Sequence, residues 1–396
     1  MYTAESIIPY AISKMPDFFS KHAVLASEEI GDGNINYVFR IKDLASGKSL
    51  IVKHAENELR IYKARFVGTD RNRIEYEVLE FQHRLAPEYI PELYLYDEEN
   101  KNIFMEDMQG YENMRYELCE HKIFVNAAEH VADFCARVLI NTTDMVIGAM
   151  EKKELVKRYI NVYPCEITER HVLTEPYQDL EENGVCPAND VFMRKMVYEN
   201  DELKARVGIL KDRFQTKAQA LIHGDLHTGS IFVTPEKTCI LDPEFAFYGP
   251  IGYDTGNFIA NMIFAYANAQ VTMADGPDKT RYIDWVLDTI AFFTDLFVAK
   301  SLEILRSNSK DFMMQSDAFF AAYIQDILHD TAGYAGTELI RRIVGSSGVR
   351  DIRSIQDESA KAKAEMLCLN AGIRFVMSPE SFRTGAGYTE YLKSLQ

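Results

Sequence analysis

The chain has 396 residues, 47% of them hydrophobic, which is enough for two lobes with cores of their own. Its formal net charge of −17 argues against a general nucleic-acid-binding protein, because neutralising phosphates requires an excess of Lys and Arg. The N-terminus has no basic segment followed by an apolar one, no apolar run approaches the roughly 20 residues that cross a bilayer, and the six cysteines form no CxxC pair. These features predict a cytoplasmic enzyme-sized protein with reduced cysteines.

The N-terminal part predicts a five-stranded sheet covered by a helix. Helical spacing runs through residues 5–19, and three strands separated by turns are expected within 26–54. Two more strands flank a charged turn within 90–108.

The first hairpin of this sheet carries the motif GDGNIN. Gly31 and Gly33 allow the backbone to approach a ligand, and Asn34 and Asn36 can hydrogen-bond locally. A GxG alone is typical of an ordinary turn. Lys53, on the strand that follows, raises the significance of the motif, because a lysine in that position pairs with nucleotide phosphates in kinases. We therefore predict that this segment binds a nucleotide.

A helix with one apolar face is expected at residues 71–85, and it offers a partner for Lys53. Glu75 and Glu77 are both candidates for the carboxylate that holds the ammonium towards the phosphates. Glu75 is preferred because it lies nearer the apolar face, although either residue can equally be plain helix surface.

The last predicted strand of the sheet ends in Glu106, Asp107 and Met108. A surface loop would explain this break as well, but its position favours a hinge whose backbone contacts an adenine ring. We therefore divide the chain into a nucleotide-binding lobe, residues 1–108, and a catalytic and substrate-binding lobe, residues 109–396.

Beyond the hinge the sequence becomes mainly helical. Residues 144–190 are interrupted by Pro and Gly and are interpreted as a mobile insertion near the substrate entrance. Amphipathic or charged helices are expected at 121–142, 191–216, 282–305, 317–334 and 360–375.

The stretch LIHGDLHTGSIFVTPEKTCILDPE, residues 221–244, carries the strongest chemical signal. Two short apolar runs joined by a Pro-containing turn predict a hairpin that brings Asp225 to the same end as Asp242 and Glu244. Asp225 can orient an acceptor hydroxyl and take its proton, while Asp242 can bind Mg²⁺. Glu244, two residues further along an extended segment, is expected to share the face of Asp242. This combination predicts an ATP-dependent small-molecule kinase.

Three other residues of the loop have supporting or alternative roles. His223 is expected to support the loop by hydrogen bonding, and His227 is either a loop brace or a substrate contact. Ser230 occupies the position at which many kinases carry a metal-binding asparagine, and a hydroxyl is a weaker ligand.

Several motifs in this order resemble one family. IGDGNINYVF, the strand lysine, MEDM, HGDLHTGS, DPEFAFYGPIGYDTGN and ELIRRIVG resemble the 5-methylthioribose kinases, which belong to the aminoglycoside-phosphotransferase-like branch of the protein-kinase fold. The resemblance implies an α+β bilobal fold, with an N-terminal antiparallel five-stranded sheet lobe and a larger, mainly helical C-terminal lobe. It also implies ATP- and Mg²⁺-dependent phosphorylation of the 1-hydroxyl of 5-methylthioribose, in methionine salvage, by a homodimer.

The resemblance also assigns roles to individual residues. It makes Asp225 the catalytic aspartate, Asp242 and Glu244 the metal-binding pair, and Lys53 the lysine that holds the nucleotide phosphates.

The late pair Arg341 and Arg342 would otherwise be interpreted as a solvated helix face. The resemblance places both arginines near the substrate and the transferring phosphate, where a guanidinium can stabilise phosphoryl charge. Asp254 resembles the aspartate that braces the catalytic loop.

Two alternative functions remain open. One is a kinase of the same fold that acts on an aminoglycoside, choline or homoserine, and the substrate pocket distinguishes these acceptors from a neutral thiosugar. The other is a nucleotide-binding pseudokinase scaffold, which the presence of Lys53, Asp225 and Asp242 disfavours.

Overall fold

The computed structural model describes residues 2–30, 36–57 and 68–395. Contacts divide the chain into two compact units, Met1–Gly110 and Tyr111–Gln396. Gly31, Gly33 and Asn34 of the predicted nucleotide-binding turn lie outside the described residues. The assignment of nucleotide binding to one unit and catalysis to the other stays a prediction.

The first unit is built on a five-stranded antiparallel sheet with the strand order β1-β2-β3-β5-β4. The strands are β1 (Leu25–Ile30), β2 (Tyr37–Asp43), β3 (Ser49–His54), β4 (Leu93–Asp97) and β5 (Asn102–Met105), and the helices of this unit are α1 (Ala4–Lys14) and α2 (Asp70–Leu85). Every residue of β3 is buried, because this strand lies in the middle of the sheet. The predicted five-stranded antiparallel sheet is confirmed.

Helix α1 covers one face of this sheet, as its spacing predicts. Thr3 caps the helix in a capping box with Ser6, and Ile7 packs with Phe39 and Val52 of the sheet in one hydrophobic cluster. The helix ends at Lys14, five residues before the predicted end.

The second unit is mainly helical. Its helices are α3 (Met114–Cys119), α4 (Ala127–Cys135), α5 (Asp144–Ile147), α6 (Ala149–Arg158), α7 (Val162–His171), α8 (Asp190–Met193), α9 (Asp201–Thr216), α10 (Ile251–Thr272), α11 (Pro277–Asn308), α12 (Asp317–Val344), α13 (Arg350–Arg353), α14 (Glu358–Met377) and α15 (Gly385–Ser394). Its short strands are β6 (Glu112–Asn113), β7 (Ala220–Ile222), β8 (Ile231–Val233), β9 (Thr238–Ile240) and β10 (Phe247–Gly249).

Helices α10, α12 and α14 pack closely in the core of this unit. All residues of α10 from Ile251 to Ala269 are buried. A side chain at Gly256 would lie 2.6 Å from the carbonyl oxygen of Thr331 on α12, and one at Gly336 would lie 2.5 Å from the carbonyl oxygen of Gly372 on α14. Glycine is therefore required where these backbones approach each other. Asp254 and the end of α12 are held by this rigid arrangement.

Two predicted helices are shorter than expected. The helix predicted at 121–142 begins at Ala127 and ends in a π-helical turn, Ala136–Ile140. The helix predicted at 191–216 is interrupted after Tyr198. Helix α9 begins after Asn200, whose side chain accepts a hydrogen bond from the Leu203 amide and caps the helix. Along the described ranges, none of the helices combines the length and the apolar character that a bilayer crossing needs.

Candidate active site

In the first unit, the Lys53 ammonium on β3 forms an ion pair with the Glu75 carboxylate on α2, with 2.6 Å between Nζ and Oε1. Both side chains are buried. Glu77, the alternative partner, instead accepts from Arg73 at 3.0 Å. The preference for Glu75 thus agrees with the structure, because the more deeply buried face of α2 meets the sheet. The role of this pair in holding nucleotide phosphates stays a prediction.

Asn36 lies next to the start of α2. Its side-chain oxygen accepts a hydrogen bond from Arg71 Nη2 at 2.7 Å, and Arg71 also donates to the carbonyl oxygens of Glu56 and Gly68. The amide of Asn36 therefore anchors the buried arginine, which is a structural role. A contact with the nucleotide stays a prediction.

The predicted hinge residues are already engaged in part. The Glu106 amide donates to the Glu92 carbonyl at 2.8 Å, so it is not the open backbone donor that the hinge hypothesis expects. The Asp107 carboxylate accepts from Arg40 Nε at 2.8 Å and from the Ser49 hydroxyl at 2.6 Å. Both groups stabilise the end of the sheet. The contacts of Glu106, Asp107 and Met108 with an adenine ring stay a prediction.

In the second unit, β8 and β9 form the predicted hairpin. Ile231 pairs with Ile240, and the Leu241 amide donates to the Ser230 carbonyl at 2.9 Å. The loop that contains Asp225 enters this end of the hairpin and the segment that begins with Asp242 leaves it. The predicted convergence of the two acidic segments is confirmed.

Asp254 of α10 fixes the backbone of the loop before β8. The Asp254 carboxylate accepts from the His223 amide at 2.6 Å and from the Gly224 amide at 2.9 Å, and His223 Nε2 contacts the Leu241 carbonyl oxygen at 2.8 Å. Burial raises the pKa of Asp254 to about 7, which these backbone hydrogen bonds oppose. The predicted brace and the supporting role of His223 are both present.

Asp225 follows this braced turn and keeps 30% of its side-chain surface exposed. Burial by the surrounding protein raises the pKa of its carboxyl group, and the nearby Arg342 and Arg341 guanidiniums lower it. A carboxylate with a raised pKa is a better proton acceptor than an ordinary one. The residue is thus suited to accept a proton from a bound hydroxyl group.

His227 and Ser230 brace the loop around Asp225. His227 Nε2 lies 3.4 Å from Asp225 Oδ2, and His227 Nδ1 lies 3.1 Å from Ser230 Oγ. The Ser230 hydroxyl donates to the Asp225 carbonyl oxygen at 3.0 Å. Burial and the charges of Arg115 and Arg342 hold the pKa of His227 well below its usual range, so the imidazole is neutral. The brace that was one of two alternatives for His227 is present, and a substrate contact stays a prediction.

Asp242 and Glu244 follow β9 in an irregular segment. Asp242 has a left-handed backbone with φ of 64°, and Glu244 begins a turn. The expectation that an extended chain puts both carboxylates on one face is therefore wrong, since alternation requires strand geometry. The segment is instead fixed by Asn161, whose side-chain amide donates to the carbonyl oxygens of Glu244 at 2.8 Å and Ala246 at 3.0 Å.

These two carboxylates nevertheless fit a hard divalent cation. Across residues 2–30, 36–57 and 68–395, no three His, Cys, Asp or Glu side chains gather into a metal-binding group. Mg²⁺ does not require one, because it usually takes one or two carboxylates together with substrate phosphates and water. Asp242 and Glu244 offer oxygen ligands and are each only partly buried. The assignment of the metal to this pair stays a prediction.

Arg341 and Arg342 lie in the last turn of α12, and their side chains are only 9% exposed. The interpretation as a solvated helix face is therefore wrong. Both guanidiniums pair with the Glu338 carboxylate, which is buried, and they lower its pKa to about 2 against the effect of burial. The spacing E-x-x-R-R was the available signal for Glu338, because residues three and four apart meet on a helix.

Arg115 of α3 is a third arginine that sequence reasoning missed. Its Nη2 donates to Asn261 Oδ1 at 3.0 Å, and the Thr228 hydroxyl donates to the same oxygen at 3.3 Å. Its charge contributes to the lowered pKa of His227. Arg115 and this loop are far apart in the sequence and become neighbours through tertiary packing. No sequence pattern therefore predicts that they lie close together. Arg115 thus adds positive charge beside this loop, and a guanidinium can stabilise an anionic group.

Comparisons with known proteins agree with this arrangement. The sequence profile of the phosphotransferase enzyme family matches residues 166–281. The methylthioribose kinase of Yersinia enterocolitica is 33% identical over 380 residues, which covers 95% of this chain and 94% of the relative. That of Exiguobacterium sibiricum is 34% identical over 353 residues, covering 89% and 88% of the two chains. The crystal structure of choline kinase from Cryptosporidium parvum has a TM-score of 0.50 at 12% identity, covers 93% of this chain and 95% of that one, and shows a shared protein-kinase-like fold. The chain belongs to the methylthioribose kinase family.

Proposed function

We propose that this chain is an ATP-dependent kinase that phosphorylates the 1-hydroxyl of 5-methylthioribose to give the 1-phosphate. The observation that carries the phosphoryl-transfer chemistry is the Asp225 carboxylate, which follows the turn braced by Asp254 and stays partly exposed. The choice of acceptor rests on relatives named methylthioribose kinase, which match nearly the whole chain.

Asp225 orients the 1-hydroxyl in this proposal and accepts its proton. The proton is taken late, when negative charge has moved onto the transferring group, so a raised pKa suits the task. Arg341 and Arg342 stabilise the charge on the phosphoryl oxygens. Lys53, held by Glu75, is the residue that pairs with the phosphates of ATP.

Asp242 and Glu244 are the residues that would hold Mg²⁺. When bound with ATP, the cation neutralises phosphate charge and lowers the cost of charge that develops during transfer. The hydrogen bonds from Asn161 to the carbonyl oxygens of Glu244 and Ala246 keep this segment in place for that role.

The charge around Asp225 separates the candidate acceptors. Arg342, Arg341 and Arg115 all influence this loop, and their positive charges disfavour a cationic acceptor such as choline or an aminoglycoside. A neutral thiosugar carries no such penalty. Homoserine, which is a zwitterion, stays the alternative that only an assay removes. We also propose, from the family resemblance, a cytoplasmic homodimer.

A substrate panel tests the proposed function. Purified protein with Mg-ATP is offered 5-methylthioribose, choline, homoserine and an aminoglycoside, and ADP release is followed with each acceptor. We expect kcat/KM to be highest for 5-methylthioribose by at least about 100-fold, since an alcohol of another shape leaves polar groups of the site unpaired. Efficient turnover of another alcohol, with none of the thiosugar, would contradict the acceptor assignment.

A further inference from the structure

We propose that Glu338 is a positioning residue, whose buried carboxylate fixes both guanidiniums of Arg341 and Arg342 in the orientation that the transferring phosphoryl group requires. This inference rests on the proposed kinase function. Glu338 itself need not contact the substrate or the nucleotide.

The hydrogen bonds of the cluster leave one edge of each arginine available. Glu338 Oε2 accepts from Arg341 Nε at 2.5 Å, and Glu338 Oε1 accepts from Arg341 Nη2 at 3.2 Å and from Arg342 Nε at 2.9 Å. Arg342 Nη1 reaches the Ser347 carbonyl oxygen at 3.5 Å. Arg341 Nη1 and Arg342 Nη2 make no hydrogen bond to a described residue. Glu338 thus holds each guanidinium through its Nε side. Arg341 Nη1 and Arg342 Nη2 remain available to donate hydrogen bonds.

The Glu338 carboxylate also reduces the repulsion between the two arginines. Two neighbouring guanidiniums repel each other, and burial together with Arg341 lowers the pKa of Arg342 to about 10, where it stays protonated at neutral pH. The Glu338 carboxylate offsets one of the two positive charges. A net charge of +1 remains for the phosphoryl group, and the repulsion that would drive the two side chains apart is reduced.

A comparison within α12 separates positioning from simple stabilisation. Asp330, on the same helix, is also buried and pairs with two cations, Arg213 at the end of α9 and Lys217 just behind it. That cluster joins two helices. Both partners of Glu338 lie on its own helix, three and four residues further on, so the pairs tie no elements together. Buried ion pairs repay their desolvation poorly as sources of stability, which favours a functional reason for this one.

The test is Glu338→Gln, which keeps the size of the side chain and removes its charge. We expect kcat for 5-methylthioribose to fall roughly 10- to 100-fold with KM for ATP unchanged. Arginines that are held in the wrong orientation stabilise the charge of the transition state less, but they do not alter the binding of ATP. The affinity for ADP with aluminium fluoride, a mimic of the transferring phosphoryl group, should fall by a similar factor in calorimetry, while the affinity for ADP alone stays the same. A purely structural role would not produce this split.

Asp330→Asn is the matched control, since it removes the charge of a buried carboxylate on the same helix and weakens its pairs with Arg213 and Lys217, which keep Asp326 as a second partner. We expect it to lower the melting temperature and leave kcat within about twofold. If Glu338→Gln does not fold, Glu338→Asp replaces it in the test. This variant keeps the negative charge but has a side chain shorter by one methylene, and we expect at least a fivefold loss of kcat. Normal kcat in the folded Glu338 variant, or an equal loss in Asp330→Asn, would overturn the proposal.

The wild-type protein distinguishes this proposal from the proposed function. If the wild type phosphorylates 5-methylthioribose and the Glu338 variant does so equally well, the positioning role fails and the function stands. If the wild type phosphorylates only another acceptor, the acceptor assignment fails, and the same variants are compared on the acceptor that is used.

Discussion

Gly224→Ala is the substitution whose effect can be worked out most directly from the structure. Gly224 has φ of 79°, a left-handed conformation that costs an alanine about 1–2 kcal/mol. A Cβ at this position would also lie 2.6 Å from the carbonyl carbon of Phe245 and closer still to its oxygen, so one of the two backbones must move. Because the Phe245 backbone cannot yield as a flexible side chain can, we expect a total loss of about 2–4 kcal/mol in the free energy of unfolding.

The same shift should impair activity, because Gly224 directly precedes Asp225. A displacement of about 1 Å at a reacting group costs on the order of 100-fold in rate. We therefore expect kcat to fall about 100-fold, together with a drop of roughly 4–16 °C in melting temperature, at about 2–4 °C for each kcal/mol. Urea unfolding gives the free energy, and steady-state ADP release gives kcat.

Gly208→Ala is the control, because it makes the same chemical change on the exposed side of α9. No atom lies within 4 Å of a Cβ built there, and the residue lies inside a regular helix. We expect a gain of about 0.5–1 kcal/mol and unchanged kcat. The reasoning would be refuted if the free energy of unfolding of Gly224→Ala lay within about 0.5 kcal/mol of the wild-type value and its kcat were unchanged.

Three further predictions concern the proposed roles of single residues. Lys53→Ala should lower kcat/KM for ATP roughly 10- to 100-fold, whereas Glu77→Gln should leave it unchanged because Glu77 pairs with Arg73; equal effects would remove the Lys53–Glu75 pair from nucleotide binding. The acid limb of the pH profile of kcat/KM should lie above the range of an ordinary carboxyl group, because the pKa of Asp225 is raised and only its ionised form accepts a proton; a limb near pH 4 would contradict this. Asp242→Asn should raise the Mg²⁺ concentration that supports half-maximal turnover at least about tenfold, and an unchanged Mg²⁺ titration would exclude Asp242 as a ligand.

Features that depend on local pattern could be predicted from the sequence. Alternating apolar residues and turns predicted the sheet of the first unit and the β8–β9 hairpin, because strand periodicity and hairpin closure are local properties. The apolar face of α2 favoured Glu75 over Glu77 as the partner of Lys53, and the structure contains that pair. The brace formed by Asp254 was expected from the family resemblance of the GYDTGN motif and not from periodicity.

Features that depend on tertiary packing could not be predicted. Helix α10 was missed because it is buried almost all round and so has no polar face to create an amphipathic pattern. By pattern alone the pair Arg341 and Arg342 looked like a solvated surface, because burial of a charge depends on a partner such as Glu338, and only the family resemblance assigned the pair to the site. The left-handed conformation of Asp242 also has no signature in a single sequence, so the extended backbone expected between Asp242 and Glu244 was predicted wrongly.

The central claim is that Asp225 promotes transfer of a phosphoryl group from ATP to the 1-hydroxyl of 5-methylthioribose. The most direct test is phosphorus NMR of the product formed by the wild type and by Asp225→Asn, with nucleotide binding measured in parallel by calorimetry. We predict that the wild type forms a phosphate ester coupled to the proton on carbon 1, and that Asp225→Asn binds ATP with similar affinity but loses at least about 1,000-fold in turnover. A product phosphorylated elsewhere, or normal turnover by Asp225→Asn, would contradict the account.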